Sequence, residues 1–584
     1  AGLYSEHFKI IPDFSADDPK SKHFHETIEL EAAGRLALRS MAEGLSMRDC
    51  QEETLTHRDD IPLKAAEMQS DDDEKQVYPR SAQLAPILIA LCFQSFCIAL
   101  DNTILSTAVP KITEELNSLA DLSWYASAYL LTTCAVTLPF GKIYTYYSTK
   151  WTYIIALGLF ELGSLICAVT PTSKGLIFGR AIAGIGSGGL SPGALLVLAN
   201  SVPLHRRALY FGIIGSTSGI ATITGPLLGG LLTDHASWRW CFWINLPFGA
   251  LTGLVILLFF KESTKPNHRL NCLGQLKRMD PLGILAFIPA IVSLLLCLQW
   301  GGTRYNWNNA RIIALFVLFG VFSTIWCMIQ VWKQDEATVP PRLLKNRNVL
   351  GAVIHATFLG GSFFVFGYYL PIWFQAVKEN SASESGINNL PMVVAMIVCS
   401  ALGGLLVNIV GYYTPLMFAG SAFLTIGSGL CTSFQVNSGY PQWIGYQIIL
   451  GIGAGFGFQQ CINALQTVLP LQDIPIGIAI ITFAQSLSGA MFISIAQTVF
   501  QNRLVASVNA NAPGLSPDAL IKAGAAHLSH RVPKEILPSV LKAYNTAVTQ
   551  TFYVSVAAAM LSFIGAGLVQ WKSMRRTQKF DGAN

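Results

Sequence analysis

From about residue 84 onward the chain reads as long apolar runs separated by short polar joints. Fourteen runs can be marked, at about 84–110, 122–142, 152–170, 176–200, 208–233, 239–260, 282–300, 311–332, 349–374, 387–410, 413–434, 442–468, 476–500 and 549–570. Each is close to the roughly 20 residues that a helix needs to cross about 30 Å of hydrocarbon. Backbone groups in lipid have to be satisfied within their own segment, so runs of this length predict helices. The pattern therefore predicts an all-α polytopic membrane protein.

The first 83 residues break the pattern. Residues 1–80 carry 18 acidic and 10 basic side chains, including Asp71-Asp72-Asp73-Glu74. No short apolar run there precedes a small-residue cleavage site, so no signal peptide is expected. This stretch is expected to be a polar cytosolic tail, partly disordered, with a helix around Glu26–Leu45.

Orientation follows from the basic residues between runs. With the first tail inside, the inner loops and the C-terminal tail hold 17 Lys and Arg, among them Lys142, Lys150, Arg206, Arg207, Lys333, Arg342 and Lys345. The outer loops hold 6, leaving aside the five in the long 501–548 loop. That bias predicts both termini on the cytosolic side. Tryptophan and tyrosine gather at expected interfaces, as in Trp124-Tyr125 and Trp238-Arg239-Trp240.

Composition narrows the class. The chain is 52% hydrophobic and 12% charged, about half the charge usual for a soluble protein. Its net charge of +5 is dispersed, without the basic stripe that nucleic acid would require. Eleven of the 12 cysteines lie singly between Cys92 and Cys461, with no C-x-x-C pair. That spacing suggests small membrane-buried apolar residues, not a metal centre or a disulfide framework. No G-x-x-x-x-G-K-[ST] occurs, so a proton or ion gradient is the expected source of work and no cofactor is expected.

A weak internal repeat supplies the architecture. Arg180-Ala-Ile-Ala-Gly184-Ile-Gly186-Ser-Gly188 reads against Gln447-Ile-Ile-Leu-Gly451-Ile-Gly453-Ala-Gly455 at an offset of 267. Gly141 reads against Gly404 at offset 263, and Pro110 against Pro371 at offset 261. Two six-helix bundles are expected, at 84–260 and 349–570, the second including the outer loop 501–548. Residues 261–348 form a linker with two extra helices, and 571–584 a cytosolic tail. Transporters built on a parallel repeat bind substrate between the halves and expose it alternately to either side. A surface helix over Val532–Ala543 is expected to cap the outer vestibule.

Charge inside hydrocarbon is costly and so marks chemistry. Asp101 lies near the middle of the first run, in Leu100-Asp101-Asn102-Thr103-Ile104, and suits reversible protonation; the alternative is a structural Asp bonded to a neighbouring helix. Arg180, in the outer third of the fourth run, stays charged and would tune a carboxyl or hold an anion. Glu161 is a second candidate proton site or an equally suitable structural carboxyl, and His355 either titrates, binds substrate or is a satisfied buried histidine. Gly184 and Gly188 would admit a neighbouring helix, while Gly219, Gly225-Pro226 and Gly229-Gly230 make the fifth run thin and kinked.

These residues resemble the major facilitator superfamily, specifically the fourteen-span drug:proton antiporters of fungi, many of which export toxins. The resemblance covers roughly residues 85–570. It rests on Leu100-Asp101-Asn102-Thr103-Ile104 ending at Pro110, on Arg180 with Gly184, Gly186 and Gly188, on Gly225-Pro226-Leu-Leu-Gly229-Gly230, and on Tyr368-Tyr369-Leu370-Pro371-Ile372-Trp373-Phe374-Gln375. It implies the major facilitator fold, with Asp101 and Arg180 coupling protons and the glycine–proline run favouring exchange. One departure concerns the inner loop after the second run. Gly141, Lys142 and Lys150 are present, but Thr145 stands where the family usually has Asp.

The expected function is proton-coupled export of a small organic molecule by a monomer, most simply at the plasma membrane. The cavity would be lined by Gln459, Gln466, Tyr369 and Trp373, with His355 near by. A siderophore or vacuolar amino-acid carrier is the nearest rival, and a membrane nutrient sensor is the rival of another class. An enzyme is not expected, since no cluster of His, Cys or carboxylates stands at one membrane face.

Overall fold

The computed structural model describes residues 81–511, apart from 117, 119–120, 263–278 and 303, together with residues 535–574. The tail expected over 1–83, its helix at Glu26–Leu45, the start of the 261–348 linker and most of 571–584 lie outside the described residues. Contacts divide the chain into Ala1–Gln76 and Val77–Asn584, and all that follows concerns the second unit.

Helices occupy every apolar run: α1 Ser81–Glu115, α2 Leu122–Tyr146, α3 Thr149–Val169, α4 Ser173–Ser201, α5 Leu204–His235 and α6 Asn245–Phe259. The inserted pair is α7 Pro281–Trp300 and α8 Ala310–Lys333. Then come α9 Arg347–Ala376, α10 Leu390–Val410, α11 Thr414–Cys431 and α12 Tyr440–Phe458, which α13 Gln460–Val468 continues. The last two are α14 Ile474–Asn511 and α15 Leu537–Leu568. Side chains close several starts: Ser148 accepts from Trp151 N–H, Thr172 from Gly175 N–H and Asn346 from Asn348 N–H.

Among the described residues, 12 helices are long and apolar enough to span a membrane, or 13 if the bent α5 counts as one span. The remaining helix, α2, is long enough, but Ser, Thr and Tyr positions and Lys142 lower its hydropathy. The chain is a multi-pass membrane protein. Two elements differ from the expectation. The surface helix expected at Val532–Ala543 is, where described, the first turns of α15. Val540, Ala543, Tyr544 and Ala547 are all buried there, so the core-facing stripe continues without a break. α14 likewise runs well beyond residue 500, to Asn511.

The pairing of helices repeats. In the first half α1 packs on α5 and α6, α4 on α2 and α3, and α3 on α6. In the second half α9 packs on α14 and α15, α12 on α10 and α11, and α11 on α15. The same glycines make the matching contacts. A Cβ on Gly184 or Gly188 would strike α2, and one on Gly451 or Gly455 would strike α10. Gly186 faces α3 at Phe160, and Gly453 faces α11 at Leu424. Small residues thus bring backbones together at equivalent places in both halves.

The buried core is joined at one end of the molecule and divided at the other. Where α1 and α5 begin, a single apolar cluster includes Ile87, Val202, Ala208, Phe211 and Ile214 of the first half with Val407, Cys461, Leu465, Ile478 and Ile481 of the second. Towards the opposite end the halves keep separate cores, one around Leu100, Ile104, Tyr125 and Phe242, the other around Phe366, Tyr369, Trp373 and Phe552. The apolar core is therefore continuous between the halves where α1 begins and split between them where α1 ends.

The inserted pair lies along one seam between the halves. α7 touches both α2 and α14, with the Phe287 ring lying between Trp326 of α8, to which it is tilted, and Phe483 of α14, which it meets edge-on, 5.4 Å from each ring centre. Only 6% of the apolar stretch of α8 is buried, so its surface is left for lipid. Asp280 anchors the pair at its base. It caps α7 from a left-handed backbone (φ 55°) and accepts from Gly283 N–H, Gln330, Thr338 and Lys333.

Candidate functional site

Asp101 and Arg180, twenty-one and eight positions into α1 and α4, meet in the interior of the first half. Arg180 Nη1 donates to Asp101 Oδ2 at 2.5 Å, and both side chains are about 1% exposed. The guanidinium is held from two further directions. Its Nε donates to the Tyr125 carbonyl at 2.8 Å, and its plane lies 4.4 Å from the ring centre of Tyr129. Asp101 Oδ1 is buried and has no partner among the described residues. The carboxylate thus has one oxygen engaged and one in reserve, the arrangement a carboxyl needs to accept a proton without first breaking its anchor. Next to it, Asn102 is exposed, so the pair sits one residue from accessible space.

The other charged candidates stand apart. Glu161 of α3 lies against Gly249 of α6, and neither of its oxygens has a partner among the described residues. His355 is fully buried between α9 and α15, with Nδ1 3.1 Å from the Ser562 carbonyl. Tyr369 and Trp373 sit in the core of the second half, where Tyr369 donates to Gln497 at 2.7 Å and Trp373 to Asn545 at 2.8 Å. Gln459 and Gln466 instead reach the opposing half, Gln459 against Gly215 and Gln466 beside Arg207 of α5.

The glycine–proline run serves two neighbours. Gly225 and Gly229 face Thr103, Ile104 and Thr107 of α1, whereas Gly219 faces Ile397 of α10. Gly230 faces open space. The axis of α5 turns by 43° between Leu204–Thr222 and Leu227–Thr233. Before the bend, Gly212 and Gly215 lie against Ser400 of α10, and Gly404 of α10 lies against Ala208.

Comparison with known proteins decides the family. The model of the Major Facilitator Superfamily matches residues 91–493. The chain belongs to the Major Facilitator Superfamily. It is 52% identical over 530 residues to the MFS-type transporter ptmT of Penicillium ochrochloron, covering 90% of this chain and 93% of that one. It is 51% identical over 490 residues to the efflux pump roqT of Penicillium rubens, covering 84% and 91%. The solved structure of the proton:xylose symporter XylE superposes with a TM-score of 0.52 at 16% identity, covering 83% of this chain and 96% of that chain, a likeness of fold.

In this facilitator the sealed end is built by residues of both halves. Gly141 of α2 lies directly against Ala479 and Pro475 of α14. Lys142, about 1% exposed, donates to the Asp335 carbonyl at 3.3 Å, and Lys150 donates to the last carbonyls of α6, Leu257 and Phe260. Thr145 turns back onto the Gly141 carbonyl. Charge at this end instead comes from Arg342, which forks onto Asp473 and also reaches Asp335 at 2.6 Å. Reading the sequence picked out none of Arg342, Asp473, Asp280, Gln460 or Asn463 as site residues. The signal available was an Asp immediately before a helix start and two residues before Pro475, and a run of amides after the last glycine of α12.

Proposed function

We propose that the protein is a proton-coupled exporter of small organic molecules, with Asp101 as the proton-binding group and Arg180 as its partner. The observation that carries this reading is the buried Asp101–Arg180 pair with one carboxylate oxygen unengaged. An isolated ion pair away from water is held at a high desolvation cost, so a role for its making and breaking is favoured over stability alone. The relatives named as efflux pumps support export as the direction.

The mechanism follows from the geometry. With the start of α1 on the cytosolic side, the single joined core closes that side, and the parted cores form the way out. A proton arriving on Asp101 Oδ1 neutralises the carboxylate and weakens its hold on Arg180. The guanidinium retains the Tyr125 carbonyl and the Tyr129 ring, so α4 can shift relative to α1 without leaving a wholly unpaired cation. The glycine faces of α4 against α2 and α3, and of α5 against α1, allow such sliding. Glu161 is the second group that could carry a proton inward. No further cofactor is needed, the working unit is a monomer, and the plasma membrane with both termini cytosolic is the setting.

The test is transport in proteoliposomes. An outward-directed probe flux should rise when the receiving side is acidified and collapse with a protonophore. Flux indifferent to the pH gradient would refute the proton coupling.

A further inference from the structure

The glycines of α12 end at Gly457, and amides begin at once: Gln459, Gln460, Asn463 and Gln466. The helix breaks between them, α12 closing at Phe458 and α13 opening at Gln460. Gln459, Asn463 and Gln466 stand at i, i+4 and i+7, so they form one stripe. That stripe runs along α5 in the opposite direction, from Gly215 beside Gln459 to Arg207 beside Gln466. Gln460 lies alongside it, towards Gly403 of α10.

Three of the four side chains, Gln460, Asn463 and Gln466, are at most 3% exposed. Their mutual bonding is incomplete. Asn463 donates to Gln460 at 2.9 Å, and Gln466 accepts from Arg207 at 3.4 Å. Among the described residues, one polar atom of each amide is left without a partner: Gln459 Oε1, Gln460 Nε2, Asn463 Oδ1 and Gln466 Nε2. Two are acceptors and two are donors. Buried amides are ordinarily bonded, and leaving them unpaired costs free energy, so four together in one apolar seam ask for an occupant.

We propose that this stripe is the loading-side recognition site for cargo, and that the cargo class is a neutral molecule carrying both hydrogen-bond donors and acceptors, such as a lactam, imide or hydroxy-amide. The inference rests on the export reading for the side of loading, but not for binding itself. In the present conformation the stripe is shut between α5 and α10, inside the joined core. Parting of the halves at that end uncovers it, since its neighbours Gly215 and Arg207 belong to the other half. An amide face satisfies both polarities of a neutral ligand, and with Arg207 at its end it offers a permanent cation no neutralising carboxylate and a like charge beside it.

The test uses the full-length protein, purified and placed in lipid nanodiscs. Equilibrium binding is measured with tritiated cycloheximide, a neutral imide that also bears a hydroxyl and a ketone, and with tetraphenylphosphonium, a cation lacking donors. The proposal expects saturable imide binding that weakens tenfold or more in Gln460→Leu/Asn463→Leu, with no such effect on any binding of the cation. It also expects the melting temperature of that double variant to hold or rise by a few degrees, because two incompletely bonded amides have been replaced by apolar groups of similar size. Absent imide binding by the folded protein, unchanged binding in the double variant, or a lowered melting temperature would each overturn it. Imide binding that survives Asp101→Asn keeps the two ideas separate: loss of proton coupling alone leaves the stripe intact.

Discussion

Arg342 places two nitrogens on the carboxylate of Asp473, at 2.6 and 2.8 Å, and so ties the connector after α8 to the start of α14. Two parallel bonds of this kind are stronger and more directional than a single contact. The same connector receives Lys142 of the first half through the Asp335 carbonyl. A chain of contacts thus joins both halves at the sealed end. Arg342→Ala should loosen that end. In a protein retaining only Cys461 among its cysteines, the buried Cys461 thiol should react several-fold faster with a hydrophilic maleimide. An unchanged rate would show that apolar packing alone keeps the end shut.

Gly186 and Gly453 occupy equivalent places in the two halves, each against the backbone of a neighbouring helix. Valine at either position should destabilise by about 1–3 kcal/mol, since the neighbour cannot move aside cheaply. Nothing described lies within 4 Å of the space a Cβ on Gly230 would fill. Gly230→Ala should be neutral or stabilising by up to about 1 kcal/mol through helix propensity. Thermal melts followed by size-exclusion chromatography compare the three. Equal losses for Gly186→Val and Gly453→Val are the sharper expectation, because the repeat demands them.

Asp280 is a buried carboxylate at the base of the inserted pair. Burial pushes its pKa up, but donors from Gln330, Thr338 and Gly283 outweigh that and hold it below the usual 3.8. A carboxyl with a depressed folded value contributes stability that is fully present above the unfolded value and is lost as pH falls through the folded one. The wild-type melting temperature should therefore lose the Asp280 contribution only on acidification below about pH 4. Asp280→Asn should lower the melting temperature at pH 7, with the difference narrowing at lower pH. A gap that widens with acid would contradict the assignment.

Much of this was readable in the residues, for reasons that are physical. Asp101 and Arg180 stood out because a charge in an apolar run is expensive, and the structure brings them together. The matched glycines stood out because a helix contact demands them at fixed spacing. By contrast, Arg342 and Asp473 stand in short helical turns between the apolar runs, Pro341–Lys345 and Leu471–Asp473, where charge costs little and so does not mark a site. The runs are also apolar on every face, so no amphipathic stripe tells which way a helix is turned. Tyr369, Trp373 and His355 could therefore be recognised by type but not assigned a direction, and they face the interior of the second half. Gln460 and Asn463 belong to a run of amides after the last glycine of α12, but nothing in that run tells which of its members are buried.

Removing one member of a buried ion pair leaves the other charge stranded, at a cost of about 3–5 kcal/mol. Arg180→Gln should accordingly lower the melting temperature strongly, and Asp101→Asn combined with Arg180→Gln should recover part of the loss. Full additivity of the two single losses would mean that the pair is not coupled.

Proton exchange at Asp101 is the centre of the account, and it can be observed without following transport. The purified protein is held in weakly buffered detergent solution with a pH indicator, and cargo or a binding probe is added. Wild-type protein is predicted to release protons on binding, in proportion to the occupied sites, and Asp101→Asn to bind without releasing them. Equal proton release from the two proteins would contradict the claim that Asp101 carries the exchanged proton.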